Sequence, residues 1–268
     1  MAITSLTSAG AGGQVQSAIA RASARTGVDF SYLLGQAQVE SSLRPDAKAA
    51  TSSATGLYQF IDQSWLAVMK KHGGEHGLGW AADSIRQGEN GRFSVADGGT
   101  RAAILNLRTN SDVASLMAAE HAADNKTALE ATLGRPVGGT DLYMAHFLGL
   151  GGAQKFLTKM ASDPQASGAD LFPAAAGANR SIFYAQGGRE RSLAEIYDRF
   201  ANKIERGAQL AGGGKTLPPV ADMPAIPEMA EVSTLERMMA ATGDQSTLLR
   251  PGPDNARLAY LMLATLGN

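Results

Sequence analysis

Apolar residues recur at helical spacing along most of the chain up to Ala211. Val15, Ala18, Ile19 and Ala22 share one side of a helix predicted from Gly13 to Thr26, and Gly27 is placed as the glycine just past its end. A second helix opens at once. Asp29 is its N-cap, with Val28 and Leu33 set as a hydrophobic staple. Phe30, Leu33, Leu34, Ala37 and Leu43 form its apolar side. Arg44-Pro45 is the expected stop, because the residue before a proline is pushed out of the α region. Asp62 or Ser64 then caps a helix through Lys71 that Gly73-Gly74 ends, with Trp65, Leu66, Val68 and Met69 as core. His72 to Arg92 reads as irregular, anchored by Trp80, and Thr100 to Arg108 as a short helix. Ser111 caps the amphipathic run SDVASLMAAEHAADN, with Val113, Leu116, Met117 and Ala119 inside.

From Asp141 an apolar helix leads through a Gly149–Gly152 turn to a further helix at Ala153–Met160. A loop rich in Pro, Ala and Gly is expected from Ser162 to Asn179, and Gly187-Gly188 marks a turn. Ser192 to Ala211 closes the helical region with Leu193, Ile196, Tyr197, Phe200 and Ile204 on one face. The expected division is one helical domain over residues 1–210, a Gly/Pro-rich linker over 211–230, and a C-terminal helical tail over 231–268. The tail holds two amphipathic segments, Val232–Ala241 and Asp254–Leu266, too short to make a core alone. They either dock a partner or fold back on the main domain.

Composition narrows the choices. The hydrophobic fraction is 44% and aromatics are only 6%, which favours close-packed helices over a β-sandwich. A net charge of −1 gives no global attraction to nucleic acid or an anionic membrane. No apolar run is long enough for a transmembrane segment. Without cysteine there are no disulfides and no thiolate metal sites. His72, His76, His121 and His146 show neither an HExxH motif nor a paired ligand spacing, so neither a metal nor another cofactor is expected.

One residue breaks the apolar pattern. Leu33, Ala37 and Glu40 lie at i, i+4 and i+7, so a carboxylate points where the apolar side chains point. It also stands in the last helical turn, where the backbone dipole disfavours negative charge. Burial and dipole both raise a carboxyl pKa, as expected of a general acid. The alternative is a solvated Glu paired with Arg44 at i+4. Glu120, four residues after Leu116, is a second carboxylate that leans inward, as a functional group or as a buried hydrogen-bonding one.

Glu40-Ser41, followed by a short polar loop and Gly56-Leu57-Tyr58-Gln59, resembles the soluble lytic transglycosylases and their goose-type lysozyme-like superfamily. Tyr58 stands where that family usually has methionine. Ser64-Trp65 looks like the family's usual start of the next helix, and Glu195-Ile-Tyr197 like its late Tyr-Val element. Asp141 to Gly149 is similar to its Ala-Tyr-Asn-x-Gly segment through Ala145 and Gly149, but His146 and Phe147 replace the Tyr and Asn. Either Tyr143 supplies the phenol from one turn earlier or His146 hydrogen-bonds in its place. The resemblance spans residues 13–207 and does not touch the tail.

The resemblance implies a mainly α-helical, lysozyme-like domain with a small or absent β-hairpin. It implies a peptidoglycan lytic transglycosylase that cuts the β-1,4 bond between N-acetylmuramic acid and N-acetylglucosamine and leaves a 1,6-anhydromuramoyl end. Glu40 is the expected acid and base. Ser41, Gln59, Tyr58, Ser53, Glu120, Tyr143, His146 and Tyr197 are the expected substrate-binding residues. Asp46 and Asp62, in a loop and at a helix start, offer no clear second carboxylate for a hydrolase. A goose-type lysozyme using water and a non-catalytic cell-wall-binding assembly factor are the alternatives. The implied partners are glycan strands in the periplasm or cell wall, with a secretion or flagellar assembly protein on the tail. MAITSLTSAGAGGQ has no charged and apolar regions of signal-peptide type. Either a signal lies outside this chain, or export runs through secretion, flagellar assembly or phage lysis.

Overall fold

The computed structural model describes residues 4–212. The expected linker beyond Gly212 and the tail segments Val232–Ala241 and Asp254–Leu266 lie outside the described residues. The described part is mainly α-helical. Helix α1 (Thr4–Thr26) starts earlier than predicted and ends at Gly27, whose φ of +72° suits a residue without Cβ. Helix α2 (Phe30–Ser41) is capped by Asp29, which accepts from the Tyr32 N–H.

The end of α2 differs from expectation. The helix stops at Ser41, three residues before Arg44. Ser42 and Leu43 adopt left-handed backbone (φ 55° and 60°), and their N–H groups donate to Gln38 O and Ala37 O. That paired closure satisfies the last carbonyls before the proline can act.

Several predicted caps move by a residue. Helix α3 (Asp62–His72) has Ile61 at its N-cap with no side-chain bond; Asp62 instead pairs with Arg101 and Arg108. Gly73-Gly74 does not end the chain's helical path. A 3₁₀ turn carries it through Gly73–His76 to Gly77, which has the left-handed conformation. The stretch expected to be irregular holds helix α4 (Gly79–Ser84) and an antiparallel pair, β1 (Ile85–Gln87) with β2 (Phe93–Val95). Helix α5 (Gly98–Asn106) and a 3₁₀ turn at Leu107–Thr109 lead to α6 (Ser111–Leu133). Asn110, not Ser111, caps α6, accepting from the Asp112 and Val113 N–H groups. The predicted loop from Ser162 to Asn179 contains two short helices, α8 (Gly168–Leu171) and α9 (Pro173–Ala178). They follow α7 (Gly139–Ser162), bent at Gly149 where φ is 72° and ψ 165°. A single turn, α10 (Arg180–Phe183), precedes α11 (Leu193–Leu210), which opens on a Ser192–Glu195 capping box.

Two apolar clusters share α6. Ala114, Ala118, Ala119, Ala122 and Leu129 face the larger core with residues of α1, α2, α7 and α11. Val113, Leu116 and Met117 face a smaller core around Trp65, Leu66, Met69, Ile85 and Ile104. Each large side chain buried here contributes roughly 1.5–3 kcal/mol. The indole N–H of Trp65 donates to Ile104 O at 2.7 Å, so its burial leaves no polar group unpaired.

Helices α2 and α11 touch through backbone. A Cβ on Gly35 would stand 2.6 Å from Ile204 O, and one on Gly207 would stand 2.8 Å from Gly35 O. This approach, too tight for a Cβ on either side, brings the C-terminal half of α11 against α2 at Gly35.

Candidate active site

The site is built where α2 ends. Glu40 is 5% exposed, in the last turn of a helix whose other inward residues include Leu33, Leu34 and Ala37. The Tyr143 hydroxyl on α7 donates to Glu40 Oε1 at 3.1 Å. His146 Nε2, one turn further along α7, stands 3.4 Å from the same oxygen. Lys203 on α11 donates to the Tyr143 hydroxyl at 3.1 Å. The Gln36 amide nitrogen lies 3.2 Å from His146 Nδ1. An amide nitrogen only donates, so the neutral imidazole carries its proton on Nε2, toward Glu40. The Tyr143 and His146 rings stack at 5.7 Å. Both contacts fall on Oε1, and Glu40 Oε2 takes no hydrogen bond among the described residues.

The electrostatics differ from the expected raised acid. Burial pushes the Glu40 carboxyl up, but the His146 hydrogen bond and charge, the Lys203 ammonium and the Tyr143 hydroxyl outweigh it. The carboxyl is held below its ordinary value. Tyr143 moves the other way, pushed well above its ordinary value by burial and then by the Glu40 charge, so its phenol stays protonated and donating. Arg44 does not neutralise Glu40; its Nε donates to Ser41 O instead.

The motif residues around Glu40 hold backbone. The Ser41 hydroxyl, fully inside, bonds Ala37 O at 3.0 Å and Leu57 O at 2.8 Å, tying α2 to the Gly56–Gln59 segment. The Gln59 amide donates to Ala47 O and Gly56 O, and its φ is 51°. Gly56 has φ 84°, and a Cβ there would lie 2.0 Å from Arg108 O. Buried Arg108 in turn donates to Ser53 O, Phe60 O and Asp62. These bonds fix the loop of Asp46 to Phe60 beside the carboxylate.

Other expected site residues stand apart. Ser53 is exposed, and its hydroxyl accepts from the Asp62 N–H. Tyr58 is buried, its hydroxyl without a hydrogen bond. Tyr197 donates to Asp141, which also takes two bonds from Arg135. Glu120 accepts from His76 Nε2 at 2.7 Å and turns its other oxygen toward His72 Nδ1, 3.7 Å away. None of these four is bonded to Glu40 among the described residues. Two cavities, of about 600 and 400 Å³, are lined by Ser167, Arg189 and Glu195, and by Tyr32, Thr140 and Ile204; neither includes Glu40.

Two contributors were not read from the sequence. Gln36 orients the imidazole and Lys203 polarises the phenol, and neither breaks the pattern of its own helix. His121, also not singled out, stands apart: burial pushes its pKa to about 4, and it packs edge-on against Phe60 beside Asn125. A scan of the sequence against protein-family models finds no match. Among the described residues, no helix is long and apolar enough to cross a membrane.

Proposed function

We propose that the chain is a peptidoglycan lytic transglycosylase on a lysozyme-like domain, with Glu40 as its acid and base. The observation that carries this is a buried carboxylate held by Tyr143 and His146 through one oxygen, leaving Oε2 for a substrate, next to the Ser41 and Gly56–Gln59 segment. When sugar excludes water, the neutral carboxylic acid is favoured over the carboxylate, and Glu40 takes up its proton on Oε2. Glu40 then protonates the oxygen that leaves C1 of the muramoyl residue. As a carboxylate it next takes the proton of that residue's C6 hydroxyl, whose oxygen closes on C1. The glycosidic bond is exchanged for an internal ether, and no water is consumed. Positioned acid–base catalysis supplies roughly 10²–10⁴-fold, and the nucleophile's attachment to the same sugar supplies more. Glycan strands of the periplasm or cell wall are the substrate in this reading, and the tail serves an assembly partner.

A second reading, a glycan-binding assembly factor without catalysis, is favoured by the lowered Glu40 carboxyl. Digestion of purified sacculi followed by mass spectrometry tests both. Anhydromuramoyl ends are expected. Ends heavier by one water would assign a hydrolase, and intact sacculi would leave the binding factor.

A further inference from the structure

We infer that His72, Glu75 and Glu120 form a binding site for a divalent transition-metal ion, represented by zinc. This does not rest on the reaction proposed for Glu40. The three side chains come from different segments: His72 closes α3, Glu75 lies in the 3₁₀ turn after it, and Glu120 lies in α6. One ligand atom from each converges, all within 4.8 Å of one another. His72 Nδ1 is 3.5 Å from Glu75 Oε2 and 3.7 Å from Glu120 Oε2. Ligands around a tetrahedral zinc at its usual bond lengths stand about 3.4 Å apart. Glu75 is 68% exposed along its side chain, so its carboxylate is free to make the remaining adjustment.

The second observation is the imidazole itself. His72 is 8% exposed, and its Nδ1 is buried with no hydrogen-bond partner, aimed at the two carboxylates. An unpaired polar atom in this position is costly unless something occupies the gap. Its other nitrogen is already committed. Nε2 lies 2.9 Å from Asp124 Oδ2, and a carboxylate only accepts, so Nε2 carries the proton and Nδ1 presents its lone pair. A carboxylate behind a histidine is the usual way a metal ligand is oriented and made more basic. Lys71 holds the other oxygen of Asp124 at 2.7 Å.

Glu120 is prepared in the same manner. Arg25 lies 2.7 Å from His76 Nδ1, and a guanidinium only donates, so His76 Nε2 bears the proton that Glu120 Oε1 accepts. Oε1 is thereby used, and Oε2 remains for the ion. One imidazole and two carboxylates suit zinc and its first-row neighbours better than magnesium or calcium, which prefer oxygen alone. Water fills the fourth position. The ion ties the end of α3 to α6, across the two segments that spacing along the sequence keeps separate.

Calorimetric titration of the chelator-treated, tag-free full chain with zinc chloride tests the proposal, with cobalt absorption as a second readout. One equivalent is expected to bind, and Glu75→Gln and Glu120→Gln are each expected to weaken binding at least tenfold. Zinc should raise the melting temperature of the wild type by clearly more than that of Glu75→Gln. Glu75 is exposed, so its variant folds even if a His72 variant does not. No saturable binding, or an affinity unchanged in Glu75→Gln, would overturn the assignment. The cluster would then be a histidine hydrogen-bonded to Asp124 beside two glutamates and nothing more.

Discussion

Glu40 and Glu120 are both helical glutamates that lean inward, yet the fold gives them opposite circumstances. Glu40 meets a phenol and an imidazole on one oxygen only and is sealed among apolar side chains. Glu120, 15% exposed along its side chain, faces His72 and His76, with Asp124 and Arg25 behind them. The first has one free oxygen in a dry place, which suits proton transfer. The second is an anion among imidazoles, which suits holding charge. Helical spacing alone does not separate the two; partners from other helices do.

The largest expected effect breaks the comparison at Glu40. Glu40→Gln should lower the lysis of sacculi by about 10²–10⁴-fold while circular dichroism and melting behaviour persist. An active glutamine variant would remove the proposed reaction. Next comes Gly56→Ala, which places a Cβ against Arg108 O and needs left-handed backbone. It should cost about 2–4 kcal/mol, read by denaturant unfolding, with activity lost along with the loop beside Glu40.

His146→Asn sharpens the comparison through pH. Burial raises the Glu40 carboxyl and His146 is the first of the groups that lower it, so removing the imidazole moves the carboxyl upward. The alkaline limb of the pH–rate profile should shift to higher pH. Stability follows the same sign. The depressed native carboxyl contributes stability above its unfolded value near about 4.3, lost as pH falls through the native one. Glu40→Gln removes that acid-linked loss, as acid unfolding curves would show. The smallest effect belongs to Glu120→Gln. Its rate on sacculi should stay within about twofold of wild type, at a stability cost of about 1 kcal/mol from the weakened His76 bond.

The helical class and most helix cores were legible because apolar spacing is a local property: Trp65, Leu66, Met69, Leu193, Ile196 and Phe200 are buried as their pattern predicts. Glu40 was legible as a misfit within its own helix. The end of α2 was not, since left-handed closure at Ser42 and Leu43 overrides the proline signal without a glycine to announce it. The caps at Ile61 and Asn110 were missed by one residue: Asp62 is drawn off to Arg101 and Arg108, and Asn110 competes with the adjacent Ser111. Gln36 and Lys203 were invisible for a different reason. Each is an ordinary polar residue whose meaning appears only when α7 and α11 arrive beside α2.

The glycine contact between α2 and α11 has a bearing on timing. Gly35 waits near the beginning of the chain for Gly207, and Lys203 travels on the same late helix. During synthesis the carboxylate exists long before the ammonium that polarises its phenol. A chain released before α11 has emerged from the ribosome would carry Glu40 without its full setting, so the surroundings of this carboxylate are complete only after nearly the whole helical region has been made.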